Sequence, residues 1–315
     1  MKVCVVGVGI SGSACARALV SAGQSVTLLD RGRVLGGRMA SRRLPDRALQ
    51  QRQTDIGASY FTASDERFLA VAQGWQRRGL AHPWTDRFHT ATPTGLGQVK
   101  VGPVRWAAAG GLRSLVEDLA AGLAVQRNRE VLTVDGGFVD GQAYDAVVLA
   151  MPDPQALNLL DPSSAAAAVL AGREWGAALA VAAAFPARTW PTDFDGAFVH
   201  GSDVLNWVAD DGRRRGDDAA VLVAHTTPEY AAARLVDPQS ALPDVVRELR
   251  TMLDLPAPCW TFVQRWSYAQ PVGNRAAPFW LQDGVGLCGD GWGMAKVEAA
   301  WLSGTLLGEA LASQR

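Results

Sequence analysis

A glycine-rich turn between two short apolar runs, all within the first 30 residues, restricts this chain more than anything downstream. Lys2 to Val6 is the first run, and it ends in Gly7-Val8-Gly9-Ile10-Ser11-Gly12. A helix-type stretch from Ser13 to Ala22, a second apolar run from Ser25 to Leu29, and Asp30 follow. Strand, turn, helix, strand and acid in this order make a dinucleotide-binding unit. Gly7 permits the tight turn off the strand, Gly9 lets a pyrophosphate approach bare backbone, and Gly12 lets the helix pack close. The helix start at Ile10 and Ser11 offers unpaired N–H groups and the positive dipole end to phosphate. Asp30 stands where a carboxylate accepts from a ribose hydroxyl.

A second glycine-rich segment follows at once: Arg31-Gly32-Arg33-Val34-Leu35-Gly36-Gly37-Arg38. Its backbone around Gly37 can meet another phosphate face, with Arg31 nearby and Arg38 supplying a planar donor fork. Two such loops favour FAD over NAD as cofactor. The arginines beyond them, Arg42, Arg43, Arg47 and Arg52, read as a solvated basic loop.

The net charge of −1 and the 19% share of charged residues leave no basic face for nucleic acid. The 11 tryptophans suit a pocket for a flat aromatic ligand. Cys4, Cys15, Cys259 and Cys288 form no C-x-x-C pair or metal spacing, which predicts a cytoplasmic protein without a metal. The alanine-rich stretch from Ser163 to Phe185 is interrupted by Arg173, Glu174 and Gly176, so it reads as helix, turn and strand and no membrane span is expected.

Further along, helices are predicted over Asp65 to Gln76 and Leu112 to Ala121, and irregular strand over His82 to Val104. Val125 to Val131 alternates as a strand, and a hairpin is expected across Gly136-Gly137. Tyr144 to Pro152 reads as a buried parallel strand. Short strands then recur at Ala177 to Phe185, Ala197 to His200, Leu205 to Val208, Ala219 to His225 and Cys259 to Tyr268, with helices at Glu229 to Leu235 and Ala241 to Leu253. Arg213 to Asp218 reads as a solvated turn. A buried strand from Gly284 to Asp290 and a helix from Ala295 to Leu311 close the chain. The expected fold class is α/β, a Rossmann-type FAD-binding domain (1–62, 104–155 and 284–315) with a mainly antiparallel α+β substrate domain (63–103 and 156–283).

Together the N-terminal motif, Gly36-Gly37-Arg38-Met39, Asp55 to Thr62, Val104-Arg105-Trp106, Arg265 to Ala269, Cys288-Gly289-Asp290 and Val297 to Gly304 resemble the FAD-dependent amine oxidase superfamily, and within it renalase and its bacterial relatives. The resemblance implies FAD contacts from Gly9 through Gly12, Asp30, Arg38, Gly57, Ala58, Val131, Asp290 and Val297. It implies a helix after Met294 aimed at the flavin pyrimidine ring, where its dipole stabilises negative charge. It also implies oxidation of 2- or 6-dihydro isomers of NAD(P)H to NAD(P)⁺, with electrons passed to O₂ to give H₂O₂. The family often has glutamine at the position of Ser59 and arginine at that of Lys296, both on the substrate side.

No Ser-His-Asp order, metal spacing or carboxylate pair stands out, so no side chain is assigned a catalytic role and flavin N5 carries the chemistry. The protein's task is then a flat slot with polar anchors. Tyr60, Phe61, Trp175, Trp207, Trp266 and Tyr268 are the candidate walls, and Asn206 and His225 the candidates to hold a carboxamide. Amine oxidation, a biosynthetic flavin dehydrogenase or desaturase, and a non-catalytic redox sensor remain as alternatives.

Overall fold

A computed structural model describes residues 1–43 and 52–314; Arg47 lies outside the described residues. Two sheets organise it. The first has six strands in the order Trp280–Gln282, Val285–Leu287, Ala146–Leu149, Lys2–Val6, Ser25–Leu29, Ala124–Gln126. All of its pairings are parallel except the outermost, between Trp280–Gln282 and Val285–Leu287. Val3, Cys4 and Val5 are wholly buried because helices cover both faces, as a parallel sheet requires. The last strand, Val285–Leu287, comes from the far end of the chain and pairs beside Ala146–Leu149.

The second sheet has seven strands in the order Trp260–Pro271, Trp175–Ala184, Val221–Thr226, Leu205–Asp210, Gly196–Val199, His82–Thr92, Gly95–Ala107. Only the Gly196–Val199 and His82–Thr92 pair is parallel. Alternation gives this sheet two different faces. Leu179, Val181, Val208, Leu222 and Ala224 point into a core shared with Leu249 and Met252 of helix Leu242–Leu253. The opposite face carries Ala180, Ala182 and Val223, packed with Ile56 and Trp266.

The first helix, Ile10–Ser21, and the last, Val297–Ser313, lie in close contact, and glycines allow it. A Cβ on Gly304 would sit 2.0 Å from the Ser11 carbonyl oxygen, and one on Gly308 would sit 2.6 Å from that of Cys15. Small residues every fourth position let the backbones touch. The two helices therefore run parallel, with their N-termini toward the same end of the molecule.

Several expectations shift. The predicted strand from Val125 to Val131 stops at Gln126, because Asn128 turns the chain with φ 52°. The helix expected over Glu229 to Leu235 is a single short one, Pro228–Ala232. The supposed solvated turn at Arg213 to Asp218 is instead helix Asp211–Arg215, capped by the Asp210 side chain. Arg214 and Arg215 inside it are buried, with side chains 1% and 4% exposed. Arg52, expected in a solvated loop, has a side chain only 8% exposed and pairs with Asp211 and Asp217. A run of arginines looks like a solvated turn in one dimension; Asp211 in the same helix and Asp55, distant in sequence, take Arg214 and Arg215 into the interior.

Candidate active site

The turn after the first strand has the shape its glycines call for. Gly7 has φ 98°, and a Cβ there would meet the Ala150 carbonyl oxygen at 2.6 Å. A Cβ on Gly12 would lie 2.0 Å from the Gly7 oxygen, so helix and strand could not approach with any side chain there. Gly9, by contrast, faces open space within 4 Å, and as the helix N-cap it has no side chain to satisfy the first-turn N–H groups. Ile10 and Ser11 are buried beside it, and the Ser11 hydroxyl has no partner among the described residues. A cradle with unspent donors and room above Gly9 fits a pyrophosphate.

Asp30 receives the Val8 N–H at 2.7 Å and the Gly32 N–H at 2.6 Å, which locks the carboxylate at the end of its strand. Arg31 beside it is exposed. Val131 is buried, and among the described residues its backbone groups take no hydrogen bond, leaving them for an adenine edge. Gly37 has φ 51° and faces Gly9, its Cβ position 3.7 Å from the Gly9 Cα. Gly57 passes so close to the next segment that a Cβ would sit 2.0 Å from the Arg38 carbonyl oxygen, which also accepts the Ala58 N–H at 2.9 Å.

Arg38 is where the two chain ends meet. Its fork grips Asp290 on both oxygens, at 2.7 Å and 2.5 Å, across 252 residues. It also donates to the Ala269 carbonyl at 3.1 Å. Trp175, expected in the substrate slot, lies 5.2 Å under this guanidinium, and among the described residues its indole N–H has no acceptor. Its ring edge also lies beside Gly291, 3.3 Å from the position a Cβ would take there. The helix Val297–Ser313 begins at Lys296 without a side-chain cap. The acid of its first turn, Glu298, is turned away to accept from Ser64 and Asp65 N–H groups, both at 2.6 Å. Its N–H groups are therefore free toward Val297, while the Lys296 side chain is exposed.

The substrate-side candidates gather on the second face of the seven-stranded sheet. The Ser59 hydroxyl accepts the Trp207 indole N–H at 3.0 Å, and its carbonyl accepts from Arg214 at 2.8 Å. Tyr60 packs against Phe88 at 5.4 Å, Trp207 at 5.7 Å and Trp84 at 6.4 Å between ring centroids. Burial raises the Tyr60 phenol above its ordinary pKa, with Arg105 pulling the other way. Trp266 donates to the Ile56 carbonyl at 2.7 Å, and Tyr268 is half-buried further along the same strand. A β-bulge between Leu205 and Trp207 sets Asn206 out of register. His225 pairs across strands with Trp207 and Ala180; burial, then the charge of Arg214, lowers its pKa to about 4, so it is neutral.

Phe61 does not join this face. At 2% exposure it lies in the core with Phe68, Trp75, Trp106 and Trp301, stacked on Trp106 at 6.1 Å. Its backbone bonds to Trp106 in both directions, so the ring points inward from a bridge.

An ion network that was not expected holds the segment from Asp55 to Tyr60 in place. Asp55, 1% exposed, accepts from Ser41 and from the Leu112 N–H at 3.0 Å, and pairs with Arg215 at 3.0 Å. Asp211 pairs with Arg52 and Arg214; burial alone would raise its pKa, but Arg214, Arg215 and Arg52 outweigh it and hold the carboxyl well below the usual range. No local pattern reveals this network, since its partners come from four separate segments.

The fold and the cradle together define a flavin-dependent oxidoreductase. The chain belongs to the flavin containing amine oxidoreductase family, whose pattern matches residues 89–307, and residues 5–74 match an NAD(P)-binding Rossmann-like domain. FAD is its cofactor. Cyclohexylamine oxidase from Brevibacterium oxydans IH-35A is similar in fold, with TM-score 0.78 at 15% identity over 99% of each chain. Putrescine oxidase bound to putrescine is similar with TM-score 0.74 at 15% identity, covering 99% of this chain and 98% of that one. A CLA-producing fatty acid isomerase from P. acnes is similar with TM-score 0.72 at 13% identity, covering 96% and 97%.

Proposed function

We propose that this chain is a renalase-like oxidase that takes a hydride from 2- or 6-dihydro-NAD(P) and returns NAD(P)⁺. When bound, FAD supplies the hydride acceptor and passes the electrons to O₂, giving H₂O₂. Residues 1–62, 104–155 and 284–315 hold the cofactor in this reading, and 63–103 with 156–283 carry the substrate; the place of work is the cytoplasm. Gly7, Gly9, Ile10, Ser11 and Gly12 take the pyrophosphate, Asp30 a ribose hydroxyl, and Val131 the adenine. Arg38 and Asp290 divide phosphate and ribityl hydroxyls between them, and the start of the helix at Val297 faces the pyrimidine ring.

The observation that carries the reading is the aromatic face of Tyr60, Trp207 and Trp266 with a neutral His225 in its midst. A dihydronicotinamide is flat and uncharged at the reacting ring, already a strong donor, and needs placement more than acid–base help. Tyr60 and Trp266 bound the ring, and Asn206 and His225 hold the carboxamide. His225 can accept a hydrogen bond as a neutral imidazole without repelling the pyridinium product.

The family and the fold neighbours favour a second reading, oxidation of an amine. One experiment separates the two. Enzyme with FAD is mixed anaerobically with borohydride-treated NAD⁺, with ordinary NADH, and with putrescine or cyclohexylamine. Fast loss of oxidised flavin absorbance with the borohydride product alone supports the dihydronicotinamide reading. Loss with an amine alone overturns it.

A further inference from the structure

Two side chains on the aromatic face have buried donors without an acceptor among the described residues. Arg105 is 9% exposed, yet its Nε and Nη1 are buried without an acceptor. The Trp84 indole N–H is buried without one as well. Both converge on the same two rings. The Arg105 guanidinium lies 4.3 Å over Phe88, which is 5.4 Å from Trp84 and 5.4 Å from Tyr60. The buried carboxylates of this region are already engaged: Asp55 with Arg215, and Asp211 with Arg52 and Arg214.

Burying a cation without a carboxylate is costly, and neither the cation–π contact with Phe88 nor the neutral Tyr60 phenol on which its charge acts replaces a counter-ion. That cost calls for an anion that arrives from outside. The strand leaves room for it. A Cβ on Gly102 would sit 2.8 Å from Nη2 of Arg105, so glycine there keeps the tip of the fork clear. A planar fork and an indole N–H that flank one ring, Phe88, suit an oxyanion, which offers acceptors in two directions.

We infer that Arg105, with the Trp84 N–H across the shared Phe88 ring, binds an oxyanion carried by the substrate next to Tyr60. The group is a phosphate if the substrate is a dihydronicotinamide nucleotide, a choice that rests on the function proposed above, and a carboxylate otherwise. Arg105 is thus a specificity-determining contact, and a simple alkylamine has nothing to offer it.

The test reads binding, not turnover. Enzyme loaded with FAD is titrated with nicotinamide mononucleotide, nicotinamide riboside, benzoate and benzamide, following the flavin spectrum and thermal unfolding. Wild-type protein is expected to bind the member of a pair that carries the oxyanion roughly tenfold more tightly. Arg105→Gln brings the two members within about twofold, and Arg105→Lys restores part of the gap. A gap for benzoate over benzamide without binding of either nicotinamide compound keeps the oxyanion site and overturns the nicotinamide reading. Equal binding within both pairs by the wild type overturns the site itself, with no variant needed. So does a gap that survives in Arg105→Gln.

Discussion

His225 shows how one residue reports its surroundings. It sits between Trp207 and Ala180 on neighbouring strands, with an Nε2 that finds no partner and a pKa lowered to about 4 by burial and by Arg214. An unfolded histidine titrates near 6.5, so between pH 6.5 and 4 the unfolded chain binds the extra proton and the folded one does not. The stabilising effect of keeping His225 neutral is complete above about pH 6.5 and is lost as pH falls toward 4, by up to about 1.4 kcal/mol per unit. Urea unfolding at pH 7 and pH 4.5 should show wild-type protein losing about 2 kcal/mol more than His225→Gln. Equal acid sensitivity in the two would mean that the imidazole is solvated.

At the scale of elements, the decisive contact is between the first helix and the last. Gly304 and Gly308 let Val297–Ser313 lie against the Ser11 and Cys15 carbonyls, and this contact fixes where both N-termini point. A larger side chain cannot be absorbed by a rotamer change, because the clash is with backbone. Gly304→Leu is expected to separate the helices and raise the dissociation constant for FAD by at least about tenfold, measured by flavin fluorescence on titration of apoprotein. Gly74→Ala is the control. It lies within helix Glu66–Arg77, and the nearest atom to its Cβ position is the end of the Arg77 side chain at 3.8 Å. It should stabilise by about 0.5–1 kcal/mol and leave FAD binding alone. Retained FAD affinity in Gly304→Leu would show that the helix contact does not set the cradle.

Across the whole molecule, a buried ion network joins the sheet that carries the aromatic face to the segment that borders the cofactor. Arg214 spans it, pairing with Asp211 and donating to the Ser59 carbonyl. Arg214→Met should destabilise by about 3–5 kcal/mol in urea, because it leaves Asp211 short of a partner in a dry interior. Arg213→Met, whose parent side chain is 39% exposed on Asp195, should cost no more than about 1 kcal/mol. Similar effects from the two would contradict the difference in burial. The local pieces of this molecule were legible in the chain. The glycine turn, Asp30, the hairpins, and the strands and helices with a clean period were readable because each depends on neighbours within a few positions. The placements of Phe61, Trp175, Arg52 and Arg214 were not, since an aromatic ring or an arginine suits a core, a slot or a surface equally well until its partner is known. A nucleotide cradle at a strand–helix turn follows from the order of residues, because glycine alone readily adopts φ 98° or allows an approach of 2.0 Å. Which charges are buried, which rings gather on one sheet face and that Arg38 meets Asp290 were settled by packing, because those choices are energies between segments as much as 252 residues apart.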